Sequence, residues 1–146
     1  ISSGIKKSDM LIIFNKDEND IEKKIKNKIT IIHANSKIKN FSQLNNKKIV
    51  GFSGIGRSEK FHSSLKDQKL NIINFFPYPD HYSYNKKEIN NLINYAKKNN
   101  AVLVSTLKDK QRINFDQRKK ISFLDLEIEI KKEKSIINFL KKKKFV

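Results

Sequence analysis

The fold is decided by the stretch Gly51-Phe52-Ser53-Gly54-Ile55-Gly56-Arg57-Ser58-Glu59-Lys60-Phe61 and by a second one, Phe76-Pro77-Tyr78-Pro79-Asp80-His81. Each stretch follows an apolar run and precedes a helical pattern, so each is predicted to lead from a strand into a helix. In an open α/β sheet such turns gather at the carboxyl ends of the strands, where ligands bind. We therefore expect a functional site at this edge of the sheet.

The rest of the chain repeats the same alternation of apolar runs and helical patterns. Strands are predicted over residues 8–15, 30–33, 48–52, 72–76, 101–105 and 121–130. Helices are predicted over 17–28, from Ser58 past Leu65, from Asn85 to about Asn99, and over 135–145. Two caps are expected, Ser58 for the second helix and Asn85 with Glu88 for the third, whose apolar stripe is Ile89, Leu92, Ile93 and Ala96. The pattern predicts an α/β fold with a Rossmann-like, mainly parallel sheet flanked by helices.

One polar stretch interrupts the alternation. Residues 36–47 are rich in Lys and Asn and have no clear period, so they are predicted to be a connection with a domain boundary. We expect a linker over 37–47, a C-terminal α/β lobe over 48–146, and a piece of another lobe over 1–36. The chain begins with Ile rather than Met, so we expect it to be cut from a longer protein.

The net charge of +17 has two interpretations that stay open. A basic surface could bind nucleic acid, yet only Arg57, Arg112 and Arg118 carry the guanidinium that recognition of bases and phosphates favours. A compositional drift toward Lys on solvated faces explains most of the charge. The chain has no cysteine, which excludes disulfides and thiolate metal sites. No apolar run approaches the roughly 18 residues of a membrane span.

The turn Gly54-x-Gly56 allows close backbone approach, and the helix that follows offers free N–H groups to an anion. A dinucleotide fingerprint would need a third glycine where Glu59 stands, and the chain has no P-loop motif. A plain tight turn is the alternative.

Asp80-His81 is the sharper candidate because a histidine beside a rigid, Pro-containing turn can serve as general base or proton relay. Adjacent residues usually point apart, so Asp80 need not be the partner of His81. His33 is expected to end a strand, and His62 to lie exposed on a helix. No grouping of His, Asp and Glu has metal-ligand spacing, and no Ser nucleophile arrangement stands out.

Three ordered motifs, over residues 52–61, 76–84 and 104–109, resemble those of the tetraacyldisaccharide 4'-kinases, the lipid A 4'-kinases of Gram-negative bacteria. That family shows Phe-Ala-Gly-Ile-Gly-x-Pro-Glu-x-Phe, then Phe-x-Asp-His, then Thr-Glu-Lys-Asp at comparable intervals. The resemblance covers nearly the whole chain but only the second half of the family's length. Asp80, His81, Lys108 and Asp109 match, whereas Ser58 stands for a usual Pro, Tyr82 for a frequent His and Leu107 for an acid.

The resemblance implies the second lobe of a two-lobe P-loop kinase, with residues 1–36 as a remnant of the first lobe. The enzyme would transfer the ATP γ-phosphoryl to the 4'-hydroxyl of tetraacyldisaccharide 1-phosphate, giving lipid IVA. ATP and Mg²⁺ would be bound mainly by the N-terminal lobe, so the chain alone is expected to be inactive and to hold no metal. His81, with Asp80 beside it, would work with an aspartate of that lobe in deprotonating the hydroxyl. Substrate or nucleotide would face the remaining candidates, Gly54, Gly56, Glu59, Lys108 and Asp109.

The partners implied are the lipid A disaccharide precursor and an anionic inner-membrane surface, on its cytoplasmic face, with no nucleic acid and no protein partner. The basic helix predicted over 135–145, with Ile136, Ile137 and Leu140 on one side, would contact that surface or simply pack against the protein. Two other classes remain open. One is a basic nucleic-acid-binding α/β module, and the other is a nucleotide- or sugar-phosphate-binding lobe of a different two-domain enzyme.

Overall fold

The computed structural model describes residues 7–15, 17, 19–25, 29–39, 41–130 and 133–144. The described strands are β1 Met10–Phe14, β2 Thr30–Lys39, β3 Lys48–Ser53, β4 Asn71–Pro77, β5 Ala101–Thr106 and β6 Ser122–Ile130. The described α-helices are α1 Ile21–Lys24, α2 Ser58–Asp67, α3 Lys86–Lys98, α4 Leu107–Lys110, α5 Phe115–Arg118 and α6 Glu133–Lys142. A short 3-10 helix covers Ser42–Leu44.

The chain divides into two compact units. The larger unit is Ile38–Glu127, and the smaller one combines Ile1–Lys37 with Ile128–Val146. Every candidate site residue of the sequence lies in the larger unit.

The larger unit is a parallel sheet with strands in the order β6-β5-β3-β4. Strand β3 pairs in parallel with both β4 and β5, and Gly51 lies opposite Phe75 on one side and Val104 on the other. Strand β5 pairs in parallel with β6. Parallel neighbours need a crossover, and α2 and α3 supply crossovers of the length the pattern predicted. The predicted α/β fold with a mainly parallel sheet is confirmed.

Two apolar clusters fill the larger unit, one on each face of the sheet, because successive strand residues point to opposite sides. The cluster with the α3 stripe contains Val50, Phe52, Ile89, Leu92, Ile93, Ala96, Leu103, Ile113 and Ile121. The cluster with the α2 residues contains Ile38, Leu44, Ile49, Phe61, Leu65, Leu70, Val104 and Leu124. The predicted capping box is also confirmed, since Asn85 accepts from the Glu88 backbone and Glu88 accepts from that of Asn85. These contacts therefore fix the strands whose carboxyl ends carry the candidate residues.

In the smaller unit β1 pairs in parallel with β2, from Met10 opposite Thr30 to Phe14 opposite Ala34. The predicted helix over 17–28 is shorter than expected, because α1 covers only Ile21–Lys24 and residues 26–28 lie outside the described ones. Asp17 accepts hydrogen bonds from the backbone N–H groups of Ile21 and Glu22, 3.0 and 2.9 Å long. These bonds lower the pKa of the Asp17 carboxyl.

Strand β2 is longer than predicted. It was expected to end at His33, but it continues to Lys39, and the stretch expected to be a connection is partly strand and partly the 3-10 helix. Lys37 pairs with Glu129 at 3.5 Å, and Lys39 pairs with Glu127. These acids come about ninety positions later in the chain, so the local pattern carries no sign of them. His33 therefore lies within a strand, and its Nε2 is 3.4 Å from Glu22 Oε2.

Two local expectations about α2 are wrong. Ser58 is the first helical residue rather than the cap, and Arg57 at the cap position forms no side-chain cap hydrogen bond. His62 is half-buried rather than exposed, because its ring stacks on Phe75 with centroids 4.5 Å apart. That burial lowers the pKa of His62. The predicted C-terminal helix is confirmed as Glu133–Lys142, while Phe145 lies outside the described residues.

Candidate functional site

Asp109 is the buried centre of the carboxyl edge. Its carboxylate is fully buried and accepts hydrogen bonds from the Gly54 N–H at 3.1 Å and the Tyr84 hydroxyl at 3.0 Å. The hydroxyls of Ser105 and Thr106 donate to its other oxygen at 3.3 and 2.7 Å. Buried charge is tolerated only when it is paired and hydrogen-bonded. These donors supply the hydrogen bonds, and the Arg112 guanidinium, with Nη1 3.5 Å from Oδ1, supplies the opposite charge. Asp109 therefore ties the ends of β3 and β5 to the segment that precedes α3.

The sequence also explains how α4 places Asp109. Thr106 is the N-cap of α4, and its Oγ1 accepts the Asp109 N–H at 3.1 Å while donating to the Asp109 carboxylate. This reciprocal pair turns the end of β5 inward and points the Asp109 carboxylate at Gly54. The segment that follows β5 is thus a capped, four-residue helix.

Tyr84 covers Asp109 from the side of the β4–α3 connection. Its ring packs edge-on against Phe52 with centroids 5.4 Å apart, and against Tyr78 at 5.1 Å. Burial, followed by the neighbouring Asp109 carboxylate, raises the pKa of the Tyr84 hydroxyl far above its usual value. The hydroxyl therefore remains a neutral donor to Asp109 at physiological pH.

His81 lies on the turn between β4 and α3 with its side chain 80% exposed. Its backbone adopts a left-handed conformation, φ 58°, which is uncommon outside glycine and costs energy unless neighbouring contacts hold it. The contact that holds it is a 3.0 Å hydrogen bond from the His81 N–H to the Gly54 carbonyl. The two turns that the sequence analysis singled out are therefore joined, as expected.

Asp80 serves the turn rather than the His81 ring. Its Oδ1 accepts the His81 backbone N–H at 2.9 Å, whereas its Oδ2 is 3.8 Å from His81 Nε2, too far for a hydrogen bond. A Cβ built on Gly56 would come within 3.0 Å of the Asp80 carboxylate. The missing side chain at Gly56 thus makes room for Asp80.

The remaining sequence candidates lie at the same edge without joining this network in the contacts that the structure records. Glu59 is exposed in the first turn of α2, where a negative charge suits the helix dipole. Lys108 is exposed on α4. Of the substituted motif positions, Tyr82 donates to Glu88 Oε1 at 2.6 Å, which lowers the pKa of Glu88, and Leu107 is 39% exposed.

Arg112 is the residue that sequence reasoning missed. Its Nη1 donates to the Gly54 carbonyl at 2.8 Å and lies 3.5 Å from Asp109 Oδ1, and its Nη2 is 3.1 Å from His81 Nδ1. Two features of the sequence could have pointed to it. Arg112 is one of only three arginines in a chain with many lysines, and it closely follows the motif that ends at Asp109. One guanidinium thus contacts both motif turns and the buried acid.

The described residues offer no metal site. No group of three His, Asp or Glu residues among them converges as metal ligands would. Both Asp109 oxygens are already engaged by donors, so this carboxylate has no free position for an ion. None of the described helices has the length and apolar character that crossing a membrane demands.

Comparison with known proteins shows the family to which the chain is related. The family model described as Tetraacyldisaccharide-1-P 4'-kinase matches residues 1–144. Among curated relatives, the tetraacyldisaccharide 4'-kinase of Rickettsia rickettsii (strain Sheila Smith) is 43% identical over 84 residues, 58% of this chain and 26% of that protein. The one from Pelagibacter ubique (strain HTCC1062) is 39% identical over 89 residues, 61% of this chain and 28% of that protein. The chain thus matches only about a quarter of the length of these relatives.

A solved structure shares the fold. The structure of the "apo" form of LpxK from Aquifex aeolicus in complex with ATP superposes with a TM-score of 0.56 at 16% identity. The match covers 97% of this chain and 44% of that one. At this identity the likeness shows the fold alone, a mostly parallel α/β sheet flanked by helices. The family match over almost the whole sequence carries the assignment: the chain belongs to the tetraacyldisaccharide-1-P 4'-kinase family.

Proposed function

We propose that this chain supplies the second lobe of a tetraacyldisaccharide 4'-kinase. The whole enzyme transfers the γ-phosphoryl of ATP to the 4'-hydroxyl of tetraacyldisaccharide 1-phosphate and so makes lipid IVA in lipid A biosynthesis. Family membership supports the kinase class. The observation that carries the role of this chain is the exposed His81 ring on a turn fixed from three sides.

In this proposal the lobe contributes to the reaction mainly by positioning reacting groups. Phosphoryl transfer needs the hydroxyl nucleophile oriented and its proton accepted, while charge on the phosphoryl oxygens is stabilised. His81 would contribute to deprotonation together with an aspartate from the other lobe. A group that meets its partner only when two lobes close gives water exclusion at the moment of reaction. The side chain of His81 is 80% exposed, as expected for a group that contacts its partner only after the lobes close.

The described residues of this edge do not fit a Mg²⁺ ion, because Asp109 is saturated by donors and the exposed acids Asp80 and Glu59 belong to no group of three metal-ligating side chains. ATP and Mg²⁺ are therefore assigned mainly to the N-terminal lobe of the family. In this proposal residues 1–36 belong to that lobe, 37–47 form the linker and 48–146 the second lobe. The division of the chain at Lys37 agrees with the first boundary, although Ile128–Val146 groups with the N-terminal residues.

The proposal has a direct biochemical test. The full-length protein that contains this chain should phosphorylate tetraacyldisaccharide 1-phosphate in the presence of ATP and Mg²⁺, with the new phosphate on the 4'-oxygen by mass spectrometry and NMR. Residues 1–146 alone should give no turnover. Turnover by the isolated chain, or a full-length protein that binds oligonucleotides in a salt-dependent way and phosphorylates no lipid, would contradict the proposal.

The proposed location is the cytoplasmic face of the bacterial inner membrane, with an anionic surface as partner. Helix α6 supports it: Lys134, Lys141 and Lys142 lie on this helix, and Ile137 is 44% exposed. Basic amphipathic helices bind anionic bilayers through both apolar burial and charge. Co-sedimentation with vesicles containing anionic lipid should exceed that with neutral vesicles and fall in high salt. Equal binding to anionic and neutral vesicles would show that charge does not drive the binding.

A further inference from the structure

Arg112 contacts His81 and Gly54 at once, and its position is fixed. The residue follows α4, and its backbone N–H donates to the Asp109 carbonyl at 2.9 Å. Its side chain is 23% exposed, with Nη1 engaged by the Gly54 carbonyl and the Asp109 carboxylate. The same Gly54 carbonyl accepts the His81 backbone N–H. The guanidinium is therefore held where Nη2 reaches the His81 ring.

The 3.1 Å contact between Nη2 and His81 Nδ1 has a definite protonation requirement. A guanidinium has only donors and stays protonated in proteins, so the contact is a hydrogen bond only if Nδ1 carries no proton. In a neutral imidazole the proton then lies on Nε2. Asp80 does not compete for it, since Oδ2 is 3.8 Å from Nε2. The ring thus presents an N–H group, rather than a lone pair, at its exposed end.

We propose that Arg112 is a positioning residue for His81: it keeps Nδ1 as an acceptor and holds the proton on Nε2, so that His81 meets its partner as a hydrogen-bond donor. This inference rests on the proposed function and refines it. A donor at Nε2 orients an acceptor carboxylate, which itself takes the hydroxyl proton. The alternative is that Arg112 only stabilises the Gly54 turn and has no effect on the ring.

The first measurement concerns the ring itself and needs no enzyme activity. Long-range ¹H–¹⁵N spectra of the chain report which histidine nitrogen carries the proton. At a pH where His81 is neutral, its Nδ1 should appear unprotonated and its Nε2 protonated. In Arg112→Met the His81 signals should move toward an average of the two tautomers, while those of His33 and His62 stay in place.

A matched control separates loss of the contact from a disturbed loop. Arg118 also stabilises the segment around Arg112, donating to the carbonyls of Ile113 at 2.7 Å and Gln111 at 3.4 Å. Arg118→Met should leave the His81 tautomer unchanged. If Arg118→Met shifts it as much as Arg112→Met does, the effect belongs to the loop and the proposal is wrong. Arg112→Lys, which keeps the charge, should restore the tautomer in part and serves if the Met variant does not fold.

The second measurement is a double-mutant cycle in the full-length kinase. Arg112→Met should lower kcat by about 10- to 100-fold, by analogy with the loss of a hydrogen-bonding partner that orients a metal-bound histidine. In a His81→Ala background the same change should cost less than about twofold, because a residue that acts only through His81 has nothing left to position. Additive losses would overturn the proposal.

The two measurements keep the proposals distinguishable. If His81→Ala retains turnover, the role assigned to His81 under the proposed function fails, and the tautomer spectra still decide whether Arg112 sets the ring. If His81→Ala loses turnover but the spectra of Arg112→Met match those of the unmodified chain, the proposed function stands and the positioning role of Arg112 is excluded.

Discussion

Asp80 and Asp109 belong to two motifs at the same edge of one sheet, but they differ in burial and in structural role. Asp109 is fully buried, and its two oxygens accept from one backbone N–H and three hydroxyls. The Asp80 side chain is 52% exposed and accepts the N–H of the next residue. One acid holds strand ends together from inside, and the other shapes an exposed turn.

A motif acid is therefore not by itself a functional group. Both acids match the family motifs, yet they differ in burial and in the number of hydrogen bonds that they accept. Asp109, buried and fully hydrogen-bonded, holds the site together, whereas Asp80 lies on the exposed turn that would face a partner. The buried acid should dominate stability, and the exposed turn should dominate chemistry. Substitutions at each acid and at its neighbours can separate these two roles.

Asp109→Asn should lower the free energy of unfolding by about 3–5 kcal/mol, the usual cost of leaving a buried charged partner uncompensated. The substitution removes the charge that faces Arg112 and turns an acceptor into a donor among the hydroxyls. Urea denaturation of the chain gives the value. The matched variant Asp80→Asn should cost less than about 1 kcal/mol, as exposed substitutions do. Equal losses for both variants would contradict the division.

Gly54→Ala should destabilise the chain by about 1–3 kcal/mol through overpacking. A Cβ there would lie 2.8 Å from the Tyr84 hydroxyl oxygen and 3.1 Å from the rigid Pro79 carbonyl oxygen. At Gly56 the nearest atom is a carboxylate oxygen of the exposed Asp80, 3.0 Å away, which can move. Thermal melting should therefore rank Gly54→Ala well below Gly56→Ala. The reverse order would show that the Gly56 turn is the rigid one.

Tyr84→Phe should change how stability depends on alkaline pH. Because the pKa of Tyr84 is raised in the folded chain, its stabilising contribution is complete below the unfolded value of 10.0 and is lost as pH rises above it. The variant loses one hydrogen bond to Asp109, which should lower the free energy of unfolding by about 1 kcal/mol. It should also lose the part of the decrease in stability at alkaline pH that Tyr84 causes. Urea midpoints from pH 8 to 11 report both. Parallel curves for the two proteins would mean that Tyr84 ionises as freely when folded as when unfolded.

The parts predicted from sequence are those fixed by short-range patterns. The α3 stripe of Ile89 and Leu92 and its Asn85 cap repeat at helical spacing, so they and the parallel order of the sheet were correctly predicted. The junction of the site depends on residues far apart in sequence. Gly54 and Asp109 are separated by 55 positions, and Gly54 and Arg112 by 58. No local period encodes such contacts, so Arg112 and the burial of Asp109 emerged only from the folded chain.

If the exposed turn carries the chemistry, the kcat of a folded His81 variant must fall. His81→Ala in the full-length kinase should lower kcat at least about 100-fold, as loss of a member of the general base machinery does, while KM for ATP changes little. His81→Asn is the conformational control, because Asn tolerates the left-handed φ of 58° better than Ala does. His62→Ala should leave turnover nearly unchanged. Melting curves show whether each variant is folded, and a folded His81→Ala enzyme that keeps most of its turnover would contradict the account.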